Sequence, residues 1–322
     1  MRKIGFWMAM TGVCVLAMTA GGCMEEKTTM SLKFSPDETS TYKVITESVK
    51  DYNYVQPSIN QTKKQQTLSR TEVVYDQKID SVDGSGNAKA LITIKEVNYH
   101  SKSANGGSFD FESAKDTKGS MGKLVGQSYV IKMLPDGEVA AVENAQKIRN
   151  AVRGDSKELK IAQSLVGDDA IKQRHTIVAL PTAKESAVKQ GKSWSSVKAA
   201  PAGMLMPKSY EKVFTLKEVK DEHGQKIAVV AMKAQPTSAK AADMPENAAS
   251  GMGFFGKMFD TKEETYTGEM LMNLNTGKVS SYSEKLKSEM VAVESAKEQI
   301  GDKGPDVLTM GFTYIYSVEK MK

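Results

Sequence analysis

The chain has 322 residues, of which 40% are hydrophobic and 26% charged, and its lysines and arginines outnumber its aspartates and glutamates by 44 to 39. Both signs are mixed along the chain, which indicates a solvated surface and excludes the basic footprint of a nucleic-acid-binding protein. The length allows a large core, and chains of this size commonly divide into two units. We therefore expect a folded protein with no nucleic acid among its partners.

The first 22 residues have the three parts of an export signal. Arg2 and Lys3 form a positive start, residues 4–18 are apolar and uncharged, and small residues follow up to Gly22. The apolar segment is short for a membrane-spanning helix, which needs about 20 apolar residues. We therefore predict a signal peptide over residues 1–22 and an exported protein.

The signal ends in Ala20-Gly21-Gly22-Cys23, which resembles the lipobox of bacterial lipoproteins, with Ala20 where leucine is most usual. The resemblance implies that the Cys23 sulfur receives a diacylglycerol and that cleavage makes Cys23 the first residue. It also implies a further acyl chain, such as palmitate, on the amine. Two or more acyl chains hold a soluble domain stably on a membrane, whereas one binds only marginally.

The residue after the cysteine bears on location. It is Met24 and not aspartate, which by the same resemblance favours the outer membrane, facing the periplasm, in a cell with two membranes. The alternatives are an ordinary secretory signal with an incidental cysteine, or an uncleaved anchor. In the lipoprotein interpretation the chain contacts the membrane through the lipid on Cys23.

A tether and a first β unit follow the lipid site. Residues 23–40 form a short polar segment, which we assign to the lipidated N-terminus and a tether. From Tyr42 onwards apolar and polar residues alternate, as in a half-buried strand. Two strand pairs follow, with turns at Asp83–Asn87 and Pro135–Gly137, where the residue types favour tight turns. We therefore predict an N-terminal β unit over residues 41–181.

A helical segment interrupts this unit at about residues 142–173. The apolar residues of 142–152, and again of 159–166, recur at the spacing of an amphipathic helix. Asp155, with Glu158 three residues later, has the pattern of a capping box at the start of the second stretch. We predict short helices that cover one face of a sheet.

The C-terminal β unit, residues 182–322, repeats the pattern of the first. One hairpin turns at Asp221–Gly224, and a second turns at Asn275–Gly277 between two long strands. The chain ends in another alternating strand. This last strand places four apolar or aromatic residues on one face, at Phe312, Tyr314, Tyr316 and Val318.

Together these elements predict a mainly β protein of the α+β class, with two curved antiparallel β-meander units and a short helical insert between them. The hairpins around Gly137 and Gly277 share a pattern, which leaves two alternatives open. They derive from a weak internal duplication, or they are hairpins of separate origin. In either case a curved sheet must cover its apolar face, and the helices of residues 142–173 are the nearest cover.

The whole pattern resembles a group of β-rich bacterial lipoproteins that is known only as a domain of unknown function. The shared features are the lipobox, the strand-Asp-Gly-strand hairpins, and a second half that opens with "GKSW", here Gly191–Trp194. The resemblance spans most of the mature chain. It implies no activity, substrate or cofactor.

No catalytic or metal-binding motif stands out in the sequence. His100 ends a predicted strand, His175 follows a predicted helix and His223 lies in a predicted turn. None of them has a second histidine or a cysteine at metal-binding spacing. We interpret all three as surface or strand-end residues. If Cys23 is lipidated and Cys14 leaves with the signal, no thiol remains for catalysis. We therefore expect no enzyme activity, no metal and no cofactor.

Methionine is frequent, with 19 in the chain and 15 after residue 22. Thioethers bind Cu(I), but Met270 and Met272 share one face of a strand, where packing in a core is the better interpretation. A glycine-rich loop, Lys240–Lys262, is either a contact surface for a partner or lipid, or a cover whose aromatic side chains fill the core. Its candidate contact residues are Met252, Phe254, Phe255, Met258 and Phe259.

Two functions fit these features. The first is a non-enzymatic envelope module that binds another envelope component or has a structural role, which predicts a packed core. The alternative is a carrier of lipid or another hydrophobic ligand, because a curved antiparallel sheet with a helical cover looks like the half-barrels of lipoprotein-localisation factors. A carrier predicts a continuous apolar cavity rimmed by the methionine–phenylalanine loop. The partner is then an envelope protein or a lipid.

Overall fold

The computed structural model describes residues 27–116, 119–204, 206, 208–244, 259–295 and 303–322. The strands are β1 (Thr28–Thr29), β2 (Thr39–Gln56), β3 (Gln61–Val82), β4 (Ala88–Lys102), β5 (Ser108–Glu112), β6 (Ser128–Met133), β7 (Val139–Glu143), β8 (Ala187–Val188), β9 (Ser193–Ala199), β10 (Ser209–Glu222), β11 (Gln225–Thr237), β12 (Asp260–Asn273), β13 (Lys278–Val293) and β14 (Val307–Lys320). The helices are α1 (Gln146–Ala151), α2 (Lys157–Leu165) and α3 (Asp168–His175). Short 3-10 turns lie at Pro57–Ile59, Met121–Leu124 and Ala183–Glu185.

One large antiparallel sheet contains 12 of these strands, in the order β7-β6-β4-β3-β2-β14-β13-β12-β11-β10-β9, with β5 paired to β4. The first meander runs outwards from β2, and the second runs inwards from β9 to β14. They join where β2 pairs with β14, from Tyr42 opposite Lys320 to Val55 opposite Val307. The predicted mainly β fold with antiparallel meanders and a short helical insert is confirmed.

The inner face of the sheet is the face on which buried side chains alternate along each strand. The helices and the segment before β2 pack against this face, and buried residues of both halves belong to one hydrophobic cluster. The division into units at residue 181 and the internal duplication stay predictions. The sheet is strongly curved: Lys198 on β9 and Tyr314 on β14 line the same cavity, although five strand spacings would separate them by about 24 Å in a flat sheet.

The segment before β2 is docked on the fold from Thr28 onwards, within the region 23–40 that the sequence assigned to the lipidated N-terminus and tether. β1 pairs with β8, and the Leu32 amide donates to the Pro135 carbonyl at 2.7 Å. The side chains of Met30 and Leu32 are 0% and 8% exposed. Because burial of these two apolar side chains offsets the cost of ordering the backbone, only residues before Thr28 remain available as a tether.

The helical insert begins later than its apolar pattern predicts. Val142 belongs to β7, where it pairs with Ile131 of β6. Its helical spacing to the apolar residues that follow is therefore coincidental, because Val142 lies in a strand. The start of α2 also differs by one residue. Ser156 is the N-cap, and its hydroxyl accepts the Leu159 amide at 3.2 Å. Glu158 does not close a capping box but accepts the Met121 amide at 2.7 Å, which ties α2 to the turn beside β4.

Candidate functional site

A small cavity of about 80 Å³ opens on the inner face of the C-terminal half of the sheet. We call it the central pocket. The end of α3, the segment that follows it, β9 and the loop behind it surround its entrance, while β10, β12, β13 and β14 form its floor and walls. Its lining residues are Gln173, Thr176, Val178, Lys198, Ala199, Pro201, Lys212, Asp243, Tyr266, Tyr282, Glu284, Tyr314 and Tyr316.

The floor of the central pocket holds a buried ion pair. The Lys212 ammonium lies 2.6 and 2.7 Å from the two carboxylate oxygens of Glu284, and these residues are 6% and 5% exposed. The hydroxyls of Tyr266 and Tyr282 donate to the same carboxylate, one to each oxygen. The ammonium also lies 4.9 Å from the centre of the Tyr266 ring, within cation–π range. Each carboxylate oxygen of Glu284 therefore accepts two hydrogen bonds, one from the Lys212 ammonium and one from a tyrosine hydroxyl.

The tyrosines around this carboxylate stay protonated. Burial, and then the charge of Glu284, raise the pKa of Tyr266, Tyr282 and Tyr314 above the ordinary value of 10. A hydroxyl with a raised pKa is a hydrogen-bond donor at neutral pH and a poor nucleophile or general base. The floor of the pocket is therefore built to hold hydrogen bonds.

Two tyrosines of β14, Tyr314 and Tyr316, differ in the hydrogen bonding of their hydroxyl groups. The Tyr316 hydroxyl donates to the Arg174 carbonyl at 3.0 Å, which fixes the end of α3 over the pocket. The Tyr314 hydroxyl lines the pocket and has no hydrogen-bond partner among the residues that the structure describes, although Tyr314 is only 6% exposed. Tyr314 therefore presents a free hydroxyl to the cavity.

The inner face of β9 forms one side of the pocket and carries further unmatched donors. Lys198 faces inwards opposite Tyr210, is half-buried, and makes no ion pair within the described part of the chain. Ser196 lies opposite Lys212, and its buried hydroxyl has no described partner. At the entrance, exposed Asp243 accepts the Ala199 amide at 2.9 Å. The interior thus has one ammonium group and two hydroxyls without a described partner, and the unengaged carboxylate oxygen of Asp243 is at the rim.

A second lysine–glutamate pair lies next to the pocket on the same face. Lys208 is 2.5 Å from Glu264, whose carboxylate also accepts the Ser288 hydroxyl at 3.0 Å. The other oxygen of Glu264 is buried without a partner among the described residues. Tyr210 lies between the two pairs and packs edge-to-face on Tyr266 at 5.2 Å. The two ion pairs and the tyrosines therefore form one polar belt.

A smaller polar cluster lies under the helices in the N-terminal half. The Nε2 atom of His175 is 2.8 Å from the Tyr129 hydroxyl, which also accepts from Arg174 at 3.3 Å. His175 packs edge-to-face on Tyr75 at 4.5 Å and is 2% exposed. Burial, and then the Arg174 charge, hold the pKa of His175 well below 6.5. The interpretation of His175 as a surface or strand-end residue is wrong, because α3 ends inside the fold.

Most of the site residues chosen from the sequence are not among the described residues. Cys23, Met252, Phe254, Phe255 and Met258 lie outside the described residues, so the lipidation site and the contact loop stay predictions. Phe259 is described: it is half-buried and lies directly before β12.

Other sequence-based interpretations can be compared with the described residues. Met270 and Met272 are fully buried, which confirms their interpretation as core residues. No cluster of three or more histidine, cysteine, aspartate or glutamate side chains suited to a metal occurs within the described ranges.

The central pocket was missed, although its sequence carries a signal. In "KSYEKVF" Lys208 directly precedes β10, and the inward positions of β10 read Tyr210, Lys212 and Phe214; in "YSEKLKSEM" the inward positions of β13 include Glu284. A charged residue at an inward position of an alternating strand marks a buried polar site.

Comparisons with known proteins give a family but no activity. The model of a family of unknown function (DUF6263) matches residues 85–279, which is more than half of the chain. No curated protein matches the chain.

Solved structures show only distant likeness. A lipovitellin structure described by its lipid–protein interactions has 10% identity and a TM-score of 0.43 over 90% of this chain, which spans only 26% of lipovitellin. DynF from the dynemicin biosynthesis pathway of Micromonospora chersina has 7% identity and a TM-score of 0.17, over 89% of this chain and 83% of its own. OccK7 (OpdD) of Pseudomonas aeruginosa has 8% identity and a TM-score of 0.21, over 88% of this chain and 100% of its own. Likeness at this level carries no functional argument.

Proposed function

This chain belongs to the DUF6263 family, whose function is unknown, and we propose that it is a lipid-anchored envelope protein that acts as a non-enzymatic binding module. Its ligand site is the central pocket. The observation that carries this proposal is a concave site in which a buried ion pair, four tyrosines and unmatched donors converge from seven segments of the chain. Pockets with a few convergent polar groups between packed elements are the usual form of a ligand site.

The buried ion pair supports binding more than stability. Removing two charges from water costs several kcal/mol per ion, and apolar residues of similar volume often stabilise a fold equally well or better. A pair such as Lys212–Glu284, at the floor of a cavity, is therefore weakly justified by stability alone. The raised pKa values of Tyr266, Tyr282 and Tyr314 keep these groups as donors, which suits recognition and not proton abstraction.

The size of the pocket limits the ligand. At about 80 Å³ it is roughly half the volume of the 150 Å³ cavity that holds benzene in an engineered protein. It accommodates a group of a few heavy atoms and not an acyl chain. The largest inner-face side chains, among them Tyr129, Tyr210, Tyr282, Phe214 and Phe312, are packed with less than 2% exposure. The described part of the chain therefore favours a packed core with a small polar site over a lipid-carrier cavity.

The anchor rests on Cys23 and on the geometry of the segment that follows. Only three residues lie between Cys23 and Lys27, where the described chain begins, and a chain of that length spans at most about 14 Å from Cys23 to Lys27. A lipid on Cys23 would therefore hold β1, which begins at Thr28, close to the membrane. Among the described helices, none is long and apolar enough to span a membrane.

The binding proposal is tested by a thermal-shift screen of small polar metabolites against the full-length protein. Val178 is half-buried at the pocket entrance, so Val178→Phe narrows the cavity without touching the ion pair. We expect compounds that raise the melting temperature of the native protein and lose that effect in the variant. Val125→Phe, at an exposed site outside the pocket lining, is the matched control. A screen in which every compound shifts native protein and Val178→Phe equally would contradict the proposal.

The anchor is tested separately by intact mass. Protein extracted from its native membrane with detergent is compared with a Cys23→Ser variant. We expect a chain that starts at Cys23 and carries acyl chains, with both features lost in the variant. An unmodified chain beginning elsewhere would refute lipidation and leave the pocket proposal untouched.

A further inference from the structure

We propose that the central pocket binds the carboxylate group of a small organic acid. This inference rests on the proposed binding function and names the chemistry of its ligand. The first argument is the balance of hydrogen-bonding groups inside the cavity. Among the lining side chains, the half-buried Lys198 ammonium, which can only donate, and the buried Tyr314 hydroxyl, which can donate or accept, have no described partner. The buried Ser196 hydroxyl, opposite Lys212 and outside the lining, also has no described partner.

The groups already engaged leave one more donor and no strong acceptor. Lys212 has three N–H groups, and Glu284 offers two carboxylate oxygens to it, so one N–H remains. Glu284 itself is saturated by Lys212, Tyr266 and Tyr282. A ligand that brings a charged acceptor satisfies the ammonium groups of Lys198 and Lys212, which can only donate, whereas a ligand that brings donors reaches only neutral oxygens such as that of the Tyr314 hydroxyl.

The charges that face the cavity lead to the same ligand. Lys198, Lys212 and Glu284 are buried or half-buried and carry a net charge of one positive unit between them. The remaining charged residue of the lining, Asp243, is exposed at the rim, where water screens it and the Ala199 amide already binds it. An anion entering from the rim therefore gains a close cation, while the nearest opposing carboxylate is neutralised by its partners.

The volume of the cavity restricts the anion to one small planar group. A carboxylate with one or two carbon atoms behind it fills about 80 Å³, and the tyrosine rings provide apolar walls for those carbons. A buried hydrogen bond to a charged group is worth about a factor of ten or more in affinity. Loss of the Lys198 ammonium or the Tyr314 hydroxyl should therefore be measurable with a very small probe.

The experiment titrates sodium acetate into the full-length protein and follows saturation-transfer NMR of the acetate methyl group. Acetamide has the same shape without charge and is the matched probe. We expect saturable acetate binding, at least tenfold weaker acetamide binding, a tenfold or greater loss of acetate affinity in Lys198→Met, and a several-fold loss in Tyr314→Phe. Lys192→Met removes an exposed lysine just before β9 and should leave acetate affinity unchanged.

Each other result overturns the inference. Equal binding of acetate and acetamide would show that charge is not recognised. Undiminished binding in Lys198→Met, or an equal loss in Lys192→Met, would place the anion elsewhere. Absence of saturable acetate binding would leave the unmatched donors to water or chloride.

The two proposals fail in different ways. If acetate fails while the metabolite screen still yields compounds that depend on Val178, only the ligand class is wrong. If both the acetate titration and the metabolite screen fail, the proposed binding function is contradicted together with the ligand class.

Discussion

The two halves of the sheet have inner faces of different chemistry, although both are buried to the same degree. On β4, in the N-terminal half, the inward residues are aliphatic and at most 2% exposed; they are Ala88, Ala90, Ile92, Ile94 and Val97. On β13, in the C-terminal half, the inward residues are at most 5% exposed but alternate polar with apolar; they are Tyr282, Glu284, Leu286, Ser288 and Met290.

The covers of the two halves explain this difference. The N-terminal half is covered by α1, α2 and α3, whose backbones satisfy their own hydrogen bonds and which present buried residues such as Ile148 and Ile171. The C-terminal half is covered partly by an irregular segment after β9. That segment needs polar partners, as where Asp243 accepts the Ala199 amide and Tyr210 contacts the Met204 sulfur at 3.6 Å. Under the helices the buried polar side chains include the small cluster of Tyr129, Arg174 and His175, whereas the irregular cover of the other half lies over a polar site.

The largest expected effect is in the C-terminal half. Lys212→Met leaves Glu284 buried without its cation and should lower the free energy of unfolding by about 3–5 kcal/mol, measured by urea denaturation. The double variant Lys212→Met/Glu284→Met removes both charges and should recover most of that loss. Lys287→Met breaks the exposed pair with Glu263 and should cost about 1 kcal/mol or less.

The double variant decides what the ion pair is for. Recovery of stability together with loss of acetate binding would identify the pair as part of the ligand site. A double variant as unstable as Lys212→Met would instead show that the pair is required for folding, and the contrast between the halves would lose its functional meaning.

The next effect is in the N-terminal half. Ile171 on α3 is 0% exposed, and Ile171→Ala should lower the free energy of unfolding by about 2–4 kcal/mol because it leaves a cavity under the helical cover. Urea denaturation measures this loss. Ligand binding at temperatures where the variant is folded should be unchanged. Loss of binding in the folded variant would mean that the two inner faces act as one site.

Acid should destabilise the N-terminal half through His175. Burial and the Arg174 charge hold the pKa of His175 in the folded state well below 6.5. Below pH 6.5 the unfolded chain therefore binds a proton at this histidine that the folded chain does not bind. The stabilisation is present above pH 6.5 and is lost as the pH falls, by about 1.4 kcal/mol per pH unit, or about 2 kcal/mol between pH 6.5 and 5. His175→Gln should flatten the pH dependence of the unfolding free energy.

The groups packed around His175 are Tyr75, Tyr129 and Arg174, and none of these side chains changes its charge between pH 5 and 6.5. An unchanged slope in His175→Gln would assign the acid sensitivity to carboxylates elsewhere.

The smallest effect tests the helical cover alone. Ser156→Ala removes the N-cap bond to the Leu159 amide and should cost about 1 kcal/mol in thermal or urea denaturation. Ser164 lies within α2 and bonds back to the Ile161 carbonyl, so Ser164→Ala should be neutral or slightly stabilising. Equal effects of the two substitutions would contradict the assignment of the cap.

Local elements follow from local chemistry, and these were predictable. The turns at Asp83–Asn87, Pro135–Gly137 and Asn275–Gly277 separate strands in the structure as their residue types indicate. The alternation of Tyr314, Tyr316 and their neighbours placed them correctly on the buried face of β14. The cap at Ser156, one residue after the predicted Asp155, shows the limit of such patterns, because adjacent capping residues differ only in which hydrogen bond the backbone permits.

The candidate site depends on contacts that no local pattern contains. Lys212 and Glu284 are 72 residues apart, and His175 reaches a tyrosine 46 residues away. Their inward positions are visible in the strand alternation, but the sequence does not say which strands curl towards each other. It therefore shows that charges are buried without showing that they meet.

By itself the sequence determined the strands, the hairpins and the helical insert, because each depends on residues within a few positions of one another. Only the tertiary structure decided that β2 pairs with β14, that the helices cover the N-terminal half of the sheet, and that the end of α3 lies over a polar pocket in the C-terminal half. The physical reason is that strand pairing between distant segments is set by the total burial and hydrogen bonding of the whole sheet, which no single stretch of residues encodes.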